Sequence, residues 1–177
     1  CIAQLISAKA RRYAATGKEE DLQTVRDLLE GFQEIVEKSG TYPRMWSQYF
    51  YEKTMRALID IYTLCGLEGA YDMACDLLSY GLTDSYYAQP KKQLGNNGSD
   101  ECEWYTMSEA LYLFADVAQQ KGESASLVRR CRDMAKLYEY TEFWDIFNNE
   151  ENLFDYKPEV GSWPEYFHAY SHVNSFN

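Results

Sequence analysis

The sequence predicts an all-α fold of consecutive antiparallel helical hairpins, and three observations carry that prediction. Apolar residues recur at spacings of three and four along most of the chain, the period of amphipathic helices. Glycines stand where those patterns stop, at Gly17, Gly66 and Gly122, as expected of C-caps that need a left-handed backbone. Aligning the three glycines brings Leu22, Tyr71 and Leu127 together at the fifth following position and Leu29, Leu78 and Met134 at the twelfth, with Cys75 and Cys131 also coinciding. The separations, 49 and 56 residues, are too uneven for a strict short-repeat solenoid and suit hairpins whose loops differ in length.

In chain order, Ile2–Thr16 reads as a helix through Ile2, Leu5, Ile6, Lys9 and Tyr13, with Gly17 closing it. A second helix over 19–38 carries Leu22, Val25, Leu28, Leu29, Phe32, Ile35 and Val36, and stops before Ser39-Gly40-Thr41-Tyr42-Pro43. The pattern returns over 46–65 through Tyr49, Leu58, Ile59, Ile61 and Tyr62, and the spacing predicts its partner over 69–80. A third pair follows at 101–120, closed by Gly122, and at about 124–138. The three leading helices are expected to lie adjacent. Two connections, 81–100 and 139–167, greatly exceed the usual helix-to-helix length, and such loops in a compact domain are commonly functional or disordered. The second is too aromatic for disorder. Trp144, Phe147, Trp163 and Phe167 are expected to be buried and to fold it across the helices near Glu103.

Composition narrows the function. The 177 residues are 46% apolar, enough for a globular core. A net charge of −11 argues against nucleic acid and against anionic membrane surfaces, both of which recruit basic patches. No apolar run approaches the roughly 20 residues that span a bilayer, and the start Cys1-Ile2-Ala3 lacks a signal-type pattern. The five cysteines, Cys1, Cys65, Cys75, Cys102 and Cys131, are scattered without a Cys-x-x-Cys pair and announce neither a disulfide framework nor a zinc knuckle. Aromatic residues are the excess, at 16% with 16 tyrosines and 4 tryptophans. Flat rings with a polar handle suit carbohydrate sites.

The stretch Ser99-Asp100-Glu101-Cys102-Glu103-Trp104-Tyr105-Thr106 closes the first long loop and opens the 101–120 helix. Asp100 can cap that helix and Glu103, three residues on, can reach back to the cap. Trp104, Met107, Leu111, Ala115 and Ala118 then form the apolar stripe, with Met107, Ala110 and Phe114 on its flank beside Glu103.

Three segments carry a family resemblance: Glu101-Cys102-Glu103-Trp104-Tyr105-Thr106-Met107-Ser108-Glu109-Ala110-Leu111-Tyr112, Tyr138-Glu139-Tyr140-Thr141-Glu142-Phe143-Trp144-Asp145 and His168-Ala169-Tyr170-Ser171-His172-Val173-Asn174. Together they resemble the β-L-arabinofuranosidase-type glycoside hydrolases, family 127 and its relatives, and 46–66 resembles that family's second hairpin. The resemblance implies an (α/α)6 barrel of which this chain makes about half, with a sugar site at one barrel end and carbohydrate as the ligand. It places the family's nucleophilic cysteine, acid/base glutamate and zinc-binding cysteine cluster in the other half. This chain is therefore expected to carry no catalytic residue and no cofactor of its own, any zinc belonging to that other half. Asn177 follows Ser175-Phe176 without a stop signal, so the expectation is a fragment completed by the missing C-terminal half, or a short form that hides its open core edge by self-association.

Candidate substrate-binding residues are Glu103, Trp104, Tyr105, His168, His172, Tyr51 and Glu52. A carboxylate at a helix start is stabilised in its charged form, so Glu103 suits accepting hydrogen bonds from sugar hydroxyls, or simply completes the cap. His168 and His172, four apart, can share a helix face, yet no Glu or third His completes a metal set. By the resemblance His172 sits where the family places a sugar-binding histidine. Tyr49, Tyr51, Glu52 and Lys53 open their helix much as Glu103 opens its own, and line the same barrel mouth or form a solvated helix start. Cys102, between Glu101 and Glu103, reads as packed rather than reactive. Two other classes stay open: a six-hairpin enzyme of the unsaturated glucuronyl hydrolase kind, for which Lys91-Lys92 is the clustered basic candidate, and a non-catalytic helical-repeat scaffold.

Overall fold

The computed structural model describes residues 2–42, 48–88 and 104–155, and among these the regular structure is entirely helical. In order the helices are α1 (Ile2–Thr16), α2 (Glu19–Ser39), α3 (Gln48–Cys65), α4 (Glu68–Thr83), the single turn α5 (Ser85–Ala88), α6 (Met107–Lys121), α7 (Ala125–Leu137) and α8 (Thr141–Asn148). The chain divides into two compact units, Cys1–Met45 with Phe50–Ala88 and Trp46–Tyr49 with Gln89–Asn177, each with its own core.

In the first unit, α1 and α2 lie antiparallel about the Gly17 turn, where φ is +66°. The turn is tied by charge as well as by backbone. Asp21, fully buried, accepts a 2.7 Å hydrogen bond from Lys9 Nζ and lies 3.1 Å from Arg12 Nε. The Lys9 hydrogen bond, helped by the Arg12 charge, holds the Asp21 carboxyl below its usual range despite burial. The stripe that α1 buries is Ala3, Ile6 and Ala10, while Ile2 and Leu5 face outward. Periodicity had to choose between two adjacent faces. The small alanines won, because they let helix axes approach closely.

Helix α3 packs antiparallel on α4: Tyr51 OH donates to Leu77 O at 2.7 Å near one end, and the Tyr62 and Tyr71 rings meet at 5.0 Å near the other. Tyr42 OH donates to Met73 O, also on α4, at 2.7 Å. Burial pushes the Tyr42 phenol well up from its ordinary value. Arg11 on α1 reaches Asp60 on α3, Nε to Oδ2 at 2.9 Å. Each of these two residues lies six positions before its hairpin's closing glycine, Gly17 or Gly66. The leading helices α1 and α3 are therefore joined at matching positions of the repeat.

In the second unit, α6 and α7 form an antiparallel hairpin closed by Gly122 (φ +85°), and the Ser124 side chain caps α7 by accepting from Leu127 N. Trp104, Met107, Leu111, Ala115 and Ala118 are all buried, as the stripe predicts. The helix does not run unbroken through Trp104. Trp104–Thr106 form a 3-10 turn and the α-helix starts at Met107, a tightening common at helix N-termini. Asp100 and Glu103, the expected cap, lie outside the described residues. The aligned positions otherwise behave alike: Leu22, Tyr71, Leu29, Leu78, Met134 and Cys131 are buried, while Leu127 and Cys75 are half-buried.

The expected loops are partly helical. Helix α4 extends to Thr83 and leads into α5 within 81–100, and α8 with a 3-10 turn at Leu153–Asp155 lies within 139–167. The burial expected along this segment is corrected at Phe147, which is 48% exposed, and Trp144 is half-buried. Helix α8 turns Phe143 and Ile146 inward instead. At 100° per residue Phe147 falls to one side of the face those two define, and Trp144 falls further round. Trp163 and Phe167 lie outside the described residues.

Candidate functional site

The site residues read from the sequence fall into three groups. Tyr51 and Glu52 lie in the first unit, Trp104 and Tyr105 in the second, and Glu103, His168 and His172 outside the described residues.

Tyr51 and Glu52 sit in the first turns of α3, where the helix leaves N–H groups for acceptors. They do not form a solvated helix start. Tyr51 is 1% and Glu52 3% exposed. The Tyr51 hydroxyl is committed to α4 through Leu77 O, and its ring lies 4.9 Å from that of Tyr87, whose ring in turn meets Tyr80 at 5.9 Å. Glu52 Oε2 lies 2.7 Å from Lys53 Nζ, whose side chain is largely covered. The pair is thus a buried carboxylate compensated by the next residue's ammonium. Tyr49 is half-buried beside them in sequence.

In the second unit Trp104 and Tyr105 belong to an aromatic nest. Both are buried to 1% exposure, and they meet edge to face at 5.6 Å. Tyr140 lies against both, stacked on Tyr105 at 4.7 Å and 16° and edge-on to Trp104 at 4.9 Å. Phe143 continues the stack at 5.3 Å from Tyr140, and Phe147 follows edge-on from Phe143 at 5.3 Å, out into solvent. Such geometries are those the ring quadrupole favours. The nest gathers its rings from the 3-10 turn before α6 and from the start of α8, and so fixes the chain at Trp104 and Tyr105.

Beside the nest, Tyr112 OH donates a hydrogen bond to Glu139 Oε1 across the hairpin. Partial burial first, and then the hydrogen bond and charge of Glu139, push the Tyr112 phenol up to about 12. Sequence reading passed over this pair, and over Tyr140 and Tyr87 as organisers of their clusters. The signal was present in Tyr138-Glu139-Tyr140, but no spacing rule links position 112 to 139 or 105 to 140.

Among the described residues no three His, Cys, Asp or Glu side chains gather as a metal site. Cys65 is half-buried, and burial raises its thiol pKa, which opposes nucleophile chemistry there. No described helix is long and apolar enough to cross a membrane.

No family model, curated protein or solved structure matches this chain. The resemblance to arabinofuranosidase-type hydrolases therefore rests on the three quoted segments and on the chemistry of the residues within them.

Proposed function

We propose that this chain is a sugar-binding wall of a glycoside hydrolase catalytic domain of the β-L-arabinofuranosidase type, its hairpins forming about half of an (α/α)6 barrel. The observation that carries the reading is the aromatic nest of Trp104, Tyr105 and Tyr140, which fixes the chain at the residue after Glu103. A carboxylate at a helix start is ionised and accepts hydrogen bonds from sugar hydroxyls, while the buried rings of the nest brace the chain beside it and leave Phe147, at the exposed end of the cluster, as the ring open to sugar C–H groups. The antiparallel pairings of α1 with α2, α3 with α4 and α6 with α7 support the hairpin architecture.

In this reading the chemistry comes from outside the chain. A retaining cysteine mechanism needs a thiolate on one side of the anomeric carbon and a proton donor on the other. Cys102 stands between Glu101 and Glu103, whose charges oppose thiolate formation, and an ionised Glu103 is a poor acid. Saturation-transfer NMR with a chromogenic β-L-arabinofuranoside tests the proposal on the purified chain. The expected result is millimolar contact that weakens in Glu103→Ala, with no turnover. Absence of ligand contact rejects the sugar-wall reading, and turnover that disappears in Cys102→Ser rejects an external nucleophile.

A further inference from the structure

The first unit carries a groove that the sugar reading does not use. It is a cavity of about 300 Å3 between α1 and α2, floored by α3. Ile6, Leu28, Phe32, Leu58 and Ile61 are among its lining, and its surface is almost wholly apolar. Two of its lining residues stand more than half in water, Ile2 at 64% exposure and Ile35 at 53%. A small apolar molecule in the cavity would leave them there. Covering them takes something that lies across the lip as well as entering the groove.

The charge beside the groove says what that is. Along α2, Glu20, Gln23, Asp27, Glu30, Glu34 and Glu37 follow one another at alternating spacings of three and four, and all six are exposed. They form one line, acidic at every position but Gln23, running beside the Leu28 to Ile35 edge of the groove. Arg12 takes up Glu20 at one end and Lys38 takes up Glu34 towards the other, while Asp27 between them accepts a hydrogen bond from the neutral amide of Gln23. Helix α1 makes the opposite lip with Ile2, Ala3 and Ile6; it contains no acidic residue, and its cations Lys9, Arg11 and Arg12 lie further along the helix, paired with Asp21, Asp60 and Glu20. The border is therefore acidic on one side and apolar on the other.

We propose that this groove receives an amphipathic helix of another protein, whose apolar ridge enters the cavity over Leu28 and Phe32 and whose Lys and Arg flank lies along the acidic line of α2. Leu28 to Ile35 spans seven residues, about 10 Å of helix, so about two turns of a docked helix are engaged through anchors at i, i+3 or i+4 and i+7. A second copy of this chain is a poor occupant. Both partners would carry a net charge of −11 and bring an acidic line to the same face.

The test uses the full chain and a dye-labelled 15-residue designed peptide with leucine at i, i+3, i+4 and i+7 and lysine on its flanks, read by fluorescence anisotropy at low and high salt. A matched peptide with glutamate in place of lysine is the control. The lysine peptide is expected to bind with micromolar Kd and at least about tenfold more tightly than the glutamate peptide. Ile35→Glu is expected to weaken it about tenfold or more, and Asp27→Asn with Glu30→Gln to weaken it several-fold and flatten the salt dependence. If Ile35→Glu loses its helical circular dichroism, Ile2→Glu, at the other lip, takes its place. Equal binding of the two peptides, or binding indifferent to both lip variants, overturns the proposal. So does a dimer in sedimentation velocity that Ile35→Glu returns to monomer, since the occupant would then be a second copy.

Discussion

Truncating Tyr140 to alanine should break the second unit's aromatic nest while leaving its backbone in place. The ring is 1% exposed and touches three others, Tyr105, Trp104 and Phe143, at 4.7, 4.9 and 5.3 Å. The Tyr140 carbonyl, which accepts from Phe143 N and Trp144 N at the start of α8, survives the substitution. The loss is therefore that of a large buried ring and the cavity it leaves, about 3–5 kcal/mol by analogy with buried aromatic truncations. Stacking accounts for about 0.5–1.5 kcal/mol per aromatic pair within that figure. Phe147→Ala is the internal control. Its ring belongs to the same cluster but is 48% exposed, so it should lose about 1 kcal/mol or less. Urea unfolding followed by near-UV circular dichroism, with far-UV recorded in parallel, separates loss of ring packing from loss of helix. A Tyr105→Leu and Tyr140→Leu double-mutant cycle should return a coupling of about 0.5–1.5 kcal/mol. A Tyr140→Ala loss below about 1 kcal/mol, or one equal to that of Phe147→Ala, refutes the nest as the organiser of this end of the unit.

Alkaline stability should depend on Tyr112. Its folded pKa of about 12 exceeds the unfolded value of about 10, so the native state holds the proton longer and stability falls as pH rises through that window; Tyr112→Phe should show a shallower fall in urea midpoint. At the acid end the sign reverses. The lowered Asp21 pKa gives stability that is present above about pH 4 and lost as pH drops through the folded value, so Asp21→Asn should be less stable at pH 7 and show a weaker acid-induced loss. Two glycine variants should move in opposite directions in thermal melts. Gly122→Ala, at φ +85°, should lose about 1–2 kcal/mol, whereas Gly31→Ala, in mid-helix with open space around an added methyl, should gain about 0.5–1 kcal/mol. Loss in both, or gain in both, contradicts the backbone assignment.

Helix positions were legible in the sequence where a 3.6-residue period met a capping glycine. The α1 range agrees at both ends, and α2, α4 and α7 agree within a few residues. Which face is buried was harder to read wherever large and small apolar residues sat side by side. On α1 hydrophobicity favours Ile2 and Leu5, but close packing selects Ala3 and Ala10, a choice made by neighbours absent from any local window. Helix α8 escaped for a different reason. It has eight residues, too few for a period to repeat, and its aromatic residues have modest helix propensity. Of the candidate site, the burial of Trp104 was legible in the apolar stripe of its helix, but that of Tyr105, which lies off the stripe, was not. The stacking partner, Tyr140, arrives from 35 residues downstream.

The Arg11 to Asp60 bridge gives the first two hairpins a register. Apolar packing alone tolerates a slip, since a lead helix shifted by one turn along its neighbour would still bury leucines and alanines. At the position six before the glycine, the first hairpin carries arginine, the second aspartate and the third again aspartate, Asp116. Arginine beside aspartate is an attraction, and it joins the first two lead helices at this register. Asp116 is instead met by Arg132 from its own hairpin, at 3.4 Å. Asp60 is buried while Arg11 is half open to water, so a slip of one helix along the other would leave a covered carboxylate without its cation, and the bridge acts against that slip. Removing the cation alone should therefore cost more stability than removing both charges together.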